Sequence, residues 1–194
     1  MVQVAWSILL WLGYNENDFT IISNVNKQSP EIAQSVFAND SIAAGDQGFV
    51  FGYATNQTPQ YMPLSVVLSR AFTQKAVNLI EQGRLLWARY DMKSLVTLHY
   101  QNNQPIIDTI IFSIQHDTKV SNETIQNDVR SLVIDPIINA YGLNHDFKAL
   151  INTSKKFITG GPIADTGLTN RKLIVDSYGS SARHGGGGYS GKDC

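Results

Sequence analysis

The stretch "SLVTLHYQNNQPIIDTIIFSIQH", residues 94–116, decides the fold. Residues 94–100 alternate in the manner of a half-buried strand, "QNNQP" (101–105) is turn chemistry, and residues 106–116 continue as a longer strand. Two such runs around a polar turn predict a β-hairpin. Just upstream, "LSVVLSRAFTQKAVNLIEQG" (64–83) predicts a helix, with Val67, Phe72, Val77 and Ile80 recurring near helical spacing and Gly83 as its stop. Downstream, Ser121 is a candidate cap for a helix whose Ile125, Val129, Leu132 and Val133 share a face. Pro136 is expected to disturb that helix near its end. Further strands are expected around "KALIN" (148–152) and "RKLIVDSY" (171–178), with a short buried one at "FTIIS" (19–23). The order helix, strand, strand, helix, strand predicts an α+β fold in which helices cover one face of a sheet.

Composition narrows the function classes. The chain has 194 residues, 43% of them hydrophobic, and a formal net charge of -1. That balance favours neither nucleic acid nor an anionic membrane as a general partner. Cys194 is the sole cysteine, which excludes a disulfide framework and a cysteine-based metal site and fits a reducing cytoplasm. The opening "MVQVAWSILLWLGYNENDF" (1–19) is apolar for only about ten residues, against the roughly 20 needed to span a bilayer. It has no basic residue ahead of that run and no small-residue cleavage site, so it reads as an amphipathic core helix closed at Gly13. Residues 24–48 are polar and rich in small residues, and a loop of that length is functional or mobile.

Four stretches carry chemistry. "GGGGYSGKD" (185–193) nearly has P-loop spacing, from Gly186 to Gly191 and Lys192. Asp193 stands where magnesium binding needs Ser or Thr, and no helix is expected to follow. A flexible glycine segment and a phosphate-binding loop of another architecture both remain open, since glycines let backbone N–H groups approach an anion. "GGPIADTGLTNRK" (160–172) joins three glycines, Asp165 and the cations Arg171 and Lys172, which suit phosphate or an ordinary charged turn. "AAGDQGFVFGYAT" (43–55) offers Asp46, and "YDMKSLV" (90–96) offers Asp91 with Lys93. His99, His116, His145 and His184 show no metal-ligand spacing.

Six ordered segments together resemble one family: "KQSPEIAQSV" (27–36), "AGDQGFVFGYATNQTPQYMPL" (44–64), "DMKSLVT" (91–97), "SIQHD" (113–117), "GGPIADTGLTNRKLIVDSYGSSARHGGG" (160–187) and "YSGKD" (189–193). They are similar to S-adenosylmethionine synthetase (methionine adenosyltransferase). The resemblance implies a mixed sheet covered by helices, in an incomplete copy of a three-domain pseudo-threefold architecture. It divides the chain into 1–40, a tail of the first domain with a gating loop at 28–38; 41–158, the central domain; and 159–194, the start of the third. It also implies attack of the methionine sulfur on C5′ of ATP, followed by cleavage of the released triphosphate to pyrophosphate and phosphate.

By the same resemblance, catalytic roles fall to Lys93, Asp165, Lys172 and Lys192. ATP contacts fall to Asp91, Met92, Lys93, Lys156, Phe157, Asp165, Arg171, Lys172, Gly188 and Lys192, with Phe157 near the adenine. Methionine contacts fall to Gln28, Asp46 and Asp165. Mg2+ and K+ are the implied cofactors; the family's magnesium aspartates and its catalytic histidine, in a His-Pro-Asp-Lys segment, are not in this sequence, so turnover by this chain alone is not expected. Implied partners are ATP, L-methionine, and a second copy (dimer or tetramer) or a complete subunit of the family, in the cytoplasm, with no nucleic acid or membrane. A non-catalytic partner chain or a decayed gene product is the rival reading. The chain departs from the family at Tyr90 and Leu95, at Thr153, which stands for a usual proline, and at Lys155, Ala164 and Asn170, which stand for usual glycines. Where φ is positive, Asn170 is tolerated better than Ala164.

Overall fold

The computed structural model of the chain describes residues 1–37, 50–165 and 167–188. Strands β1 (Ala88–Gln101) and β2 (Gln104–His116) form the antiparallel hairpin. Asn102 and Asn103 join them at φ 51° and 61°, the doubly left-handed turn whose twist matches the strands. Asparagine reaches that region at lower cost than most residues. Strand β3 (Lys148–Ile151) adds parallel to β2, so the sheet is mixed and ordered β1-β2-β3. The helices are α1 (Val2–Trp11), α2 (Pro30–Phe37), α3 (Leu64–Glu81), α4 (Asn122–Asp128), α5 (Asp135–Tyr141) and α6 (Leu173–Asp176).

Register explains which side chains are buried. On β2, Ile110, Phe112, Ile114 and His116 alternate along the inner face, and Ile107 is buried out of phase. The pairs Thr97↔Thr109 and Leu98↔Ile107 leave Asp108 as an extra residue, a β-bulge that returns Ile107 to the inner face. A second irregularity opens β1. Ala88 pairs with His116 and Met92 with Ile114, so residues 89–91 lie opposite Gln115 alone.

The inner face packs against α3 and the α4–α5 helix, burying Leu68, Phe72, Ala76, Leu79, Ile125, Val129, Val133 and Ile138. Full burial of each Leu, Ile or Phe stabilises the fold by about 1.5–3 kcal/mol. The buried stripe of α3 is Leu64, Leu68, Phe72, Ala76 and Leu79. Of the expected Val67, Phe72, Val77 and Ile80, only Phe72 lies on it; the other three flank it, because the i, i+4 row anchored at Leu64 faces the sheet. Gly83 ends the helix with φ 69°, as expected. Ser121 caps α4, its Oγ accepting from Thr124 N at 3.0 Å. Pro136 disturbs that helix, as expected, without ending it. A π-helical turn over Val129–Ile134 precedes it and the chain runs helically on to Tyr141, then closes at Gly142 with φ 62°. Proline lacks an N–H and crowds the carbonyl four residues back, and a wider turn relieves both problems.

Three expectations are corrected. "FTIIS" is extended but unpaired, with Ile22 87% exposed, because no strand lies beside it among the described residues. "RKLIVDSY" contains the short helix α6 rather than a strand; Arg70 Nη2 donates to Val175 O at 2.8 Å beside it. Helix α1 forms and ends at Gly13 (φ 89°), yet buries no residue, so it is not a core helix. Part of the long polar segment is helix α2; residues 38–49 lie outside the described residues. The chain divides into two compact units. One is Met1–Phe51 with Leu168–Leu173 and Gly185–Cys194, and the other is Gly52–Gly167 with Ile174–His184. The second contains the sheet and its core. Among the described residues no helix is long and apolar enough to cross a membrane.

The outer edge of β2 is longer than β3 can cover, and two asparagine side chains complete it. At one end, Ile107 N donates to Asn144 Oδ1 at 2.7 Å and Asn144 Nδ2 donates to Ile107 O at 3.0 Å. At the other, Ile114 N donates to Asn152 Oδ1 at 2.8 Å and Asn152 Nδ2 donates to Ile114 O at 2.9 Å. Asn152 is 1% exposed, so losing its amide would leave both Ile114 groups buried and unpaired. Asn152→Ala should therefore cost about 2–4 kcal/mol in a chemical denaturation. Lys155 gives the opposite case, since it holds φ 63° with an exposed side chain. Lys155→Gly relieves about 1–2 kcal/mol of left-handed strain and adds about 0.5–1 kcal/mol of unfolded-state entropy. It should leave stability unchanged or raise it by up to about 1.5 kcal/mol. Equal losses in the two variants would contradict this account.

Candidate functional site

The chain after β3 folds back across the end of the hairpin and is gripped there by side chains. His116 N donates to Phe157 O at 2.9 Å, and Phe157 N donates back to His116 Nε2 at 3.0 Å. Gln115 Nε2 donates to Ile158 O at 3.0 Å. Asp91, in the irregular opening of β1, accepts from Gly161 N at 2.6 Å through Oδ2. Bulges re-aim side chains in this way. Asp165 N donates to Gly161 O at 3.1 Å, which closes a short helical turn at Gly161–Ile163. Gly160 is buried in this grip. A Cβ there would stand 2.7 Å from Gln115 Cδ and 3.0 Å from Asp91 Oδ2.

The sequence-derived residues distribute as follows. Asp91, Phe157 and Asp165 are tied together through the 157–165 segment, with Phe157 half-buried and Asp165 exposed. Lys93 is exposed on the outer face of β1 opposite Ser113, and Lys156 is exposed beside Phe157. Met92 packs its side chain against the core. In the other unit, Arg171 and Lys172 are exposed. Gly188 lies against Asn170, and a Cβ at Gly188 would overlap the Asn170 side chain. Gln28 Nε2 is enclosed and has no hydrogen-bond partner among the described residues. At the next residue, Ser29 Oγ donates to Glu31, and that bond holds the Glu31 carboxyl below its ordinary value. The expected gating loop is helical from Pro30 to Phe37. Asp46 and Lys192 lie outside the described residues.

Comparison with known proteins decides the family. The model of the S-adenosylmethionine synthetase central domain matches residues 41–157, and that of the C-terminal domain matches residues 159–194. The chain belongs to the S-adenosylmethionine synthetase family. It is 49% identical over 195 residues to an S-adenosylmethionine synthase of Mycoplasmopsis pulmonis, covering 100% of this chain and 52% of the relative. It is 46% identical over 194 residues to that of Mycoplasma pneumoniae and 48% over 195 residues to that of Mycoplasma genitalium, covering 50% of each. The chain thus spans about half the length of the curated relatives it matches.

The family's glycine positions resolve differently here. Ala164 has φ -85° and ψ -38°, ordinary helical values that any residue adopts, so alanine brings no strain. Asn170 has φ 68° and Lys155 has φ 63°, both in the left-handed region. Asparagine suits that region and lysine does not. Among the described residues no group of three His, Cys, Asp or Glu side chains could hold a metal ion. That rules out an all-protein metal cage among the described residues, which is not how magnesium is held beside phosphates. Reasoning from sequence missed Gln115 and His116, although both lie in the quoted "SIQHD". Their signal was phase: His116 is a polar residue on the inward parity of Ile110, Phe112 and Ile114. Gly160→Ala forces Gln115 or Asp91 to move and should speed amide exchange at Gly161 by roughly tenfold or more, as overpacking costs about 1–3 kcal/mol. Unchanged exchange at Gly161 would show that the grip has room to spare.

Proposed function

We propose that this chain is part of a methionine adenosyltransferase, which forms S-adenosylmethionine from ATP and L-methionine with release of pyrophosphate and phosphate, and that the chain does not turn over alone. The observation that carries the reading is the gripped 157–165 segment, which links Asp91, Phe157 and Asp165 in a chain matched by both family models. The chemistry asks for two things: a place for a polyanionic leaving group, and alignment of the sulfur with C5′. Lys93, Arg171, Lys172 and Lys192 are proposed for the polyphosphate, with Gly188 allowing close approach. Asp91, Met92, Lys156 and Phe157 are proposed for the nucleoside, Met92 through its backbone. Gln28, Asp46 and Asp165 are proposed for methionine; the unpaired Gln28 amide is a donor suited to a carboxylate. Mg2+ and K+ are proposed to assist from residues other than those described. The division at 40/41 and 158/159 is proposed as the domain division, and the cytoplasm as the location.

A second copy of the chain is proposed as its partner, with a complete subunit of the family as the competing occupant. Leu95, Ile111 and Leu150 align across all three strands on the sheet face opposite the core, and Leu95 is 50% exposed. An apolar row in the middle of a sheet face suits a self-complementary cover.

Two measurements test these readings. Calorimetric titration should show binding of ATP and of inorganic triphosphate that weakens as salt rises, because exposed charges are screened. Lys93→Ala should weaken both by roughly two- to fivefold; a flat titration at millimolar ligand would remove the nucleotide reading. Sedimentation at micromolar concentration should show association that Leu95→Glu abolishes, and a monomeric unmutated chain would remove the second.

A further inference from the structure

We propose that His116 is a positioning residue for the purine base, acting through the backbone of Phe157. The inference rests on the nucleotide reading above and adds to it a residue that the reading does not use. His116 is 4% exposed, and both its ring nitrogens are engaged. Nε2 faces the N–H of Phe157 at 3.0 Å, and that group can only donate, so Nε2 is the acceptor. The ring proton therefore sits on Nδ1 and donates to Asp117 O at 2.8 Å. One fixed tautomer results, braced on the far side by the chain that follows β2.

The grip on Phe157 is two-point, since His116 N also donates to Phe157 O at 2.9 Å. A residue held through both its N–H and its C=O has little freedom in the direction its side chain leaves the backbone. The neighbouring hold is weaker in kind: Gln115 is partly exposed and reaches only Ile158 O. His116 thus fixes the aromatic ring without touching any ligand. A base stacked on that ring would register its loss, while a polyphosphate held by lysines and arginine elsewhere would not.

The experiment compares two ligands on three proteins. ATP carries the base and inorganic triphosphate lacks it. Titrated with both, the unmutated chain should bind each. His116→Leu removes the acceptor and should weaken ATP by about tenfold, within the range of base–aromatic stacking, while leaving triphosphate within about twofold. His116→Gln places an amide oxygen near the lost Nε2 and should restore most of the ATP affinity. If either folded variant loses both ligands equally, or His116→Leu loses neither, His116 is structural only and the inference falls. If the unmutated chain binds neither ligand, the nucleotide reading itself falls and takes the inference with it. A measurement without mutation covers the case of unfolded variants. Imidazole 15N resonances should report the Nδ1–H tautomer, with the Nε2 signal moving on addition of ATP but not of triphosphate. An Nε2–H tautomer, or equal movement with both ligands, would overturn the inference.

Discussion

The outer edge of β2 must be hydrogen-bonded along its whole length, and this requirement organises the rest of the larger unit. Parallel β3 meets it only from Thr109 to Phe112. Beyond those limits the edge is finished by Asn144, by Asn152 and by the backbone of Phe157. A side-chain amide presents an N–H donor and a C=O acceptor side by side, in nearly the geometry of a peptide group, so each asparagine replaces one missing residue of strand. A buried backbone group left without such a partner would cost about 1–3 kcal/mol, as much as a buried core side chain supplies.

The candidate site grows out of this edge. Because Asn152 ends β3 with a turn, the chain returns to β2 at Phe157 and runs on past Gln115 to Gly161. The irregular opening of β1 then turns Asp91 toward that returning segment. Core packing, edge completion and site geometry are consecutive links in one stretch of about ten residues, which is why bulky or unpaired substitutions there are felt in all three.

The hairpin, α3, the Ser121 cap and β3 were legible in the sequence because each is a local signal: alternation, helical spacing, a capping hydroxyl. The misreadings came from tertiary context. "FTIIS" has strand composition but no neighbour to pair with among the described residues, and "RKLIVDSY" has apolar residues that close a single helical turn. Helix α1 has an apolar sequence and no face buried within its unit. The face of α3 was misjudged because Val67, Val77 and Ile80 flank the stripe that the sheet selects. The family motifs pointed to Asp91, Phe157 and Asp165. They gave no role to His116 or Gln115, whose importance lies in contacts with residues about forty positions away.

Between Asn152 and Phe157 the chain is pinned at both ends, each pin a pair of hydrogen bonds to β2. The four residues between them hang as a handle on a fixed plate. Thr153 and Lys155, two of the positions at which this sequence departs from the family pattern it resembles, both lie in that handle, between Asn152 and Phe157.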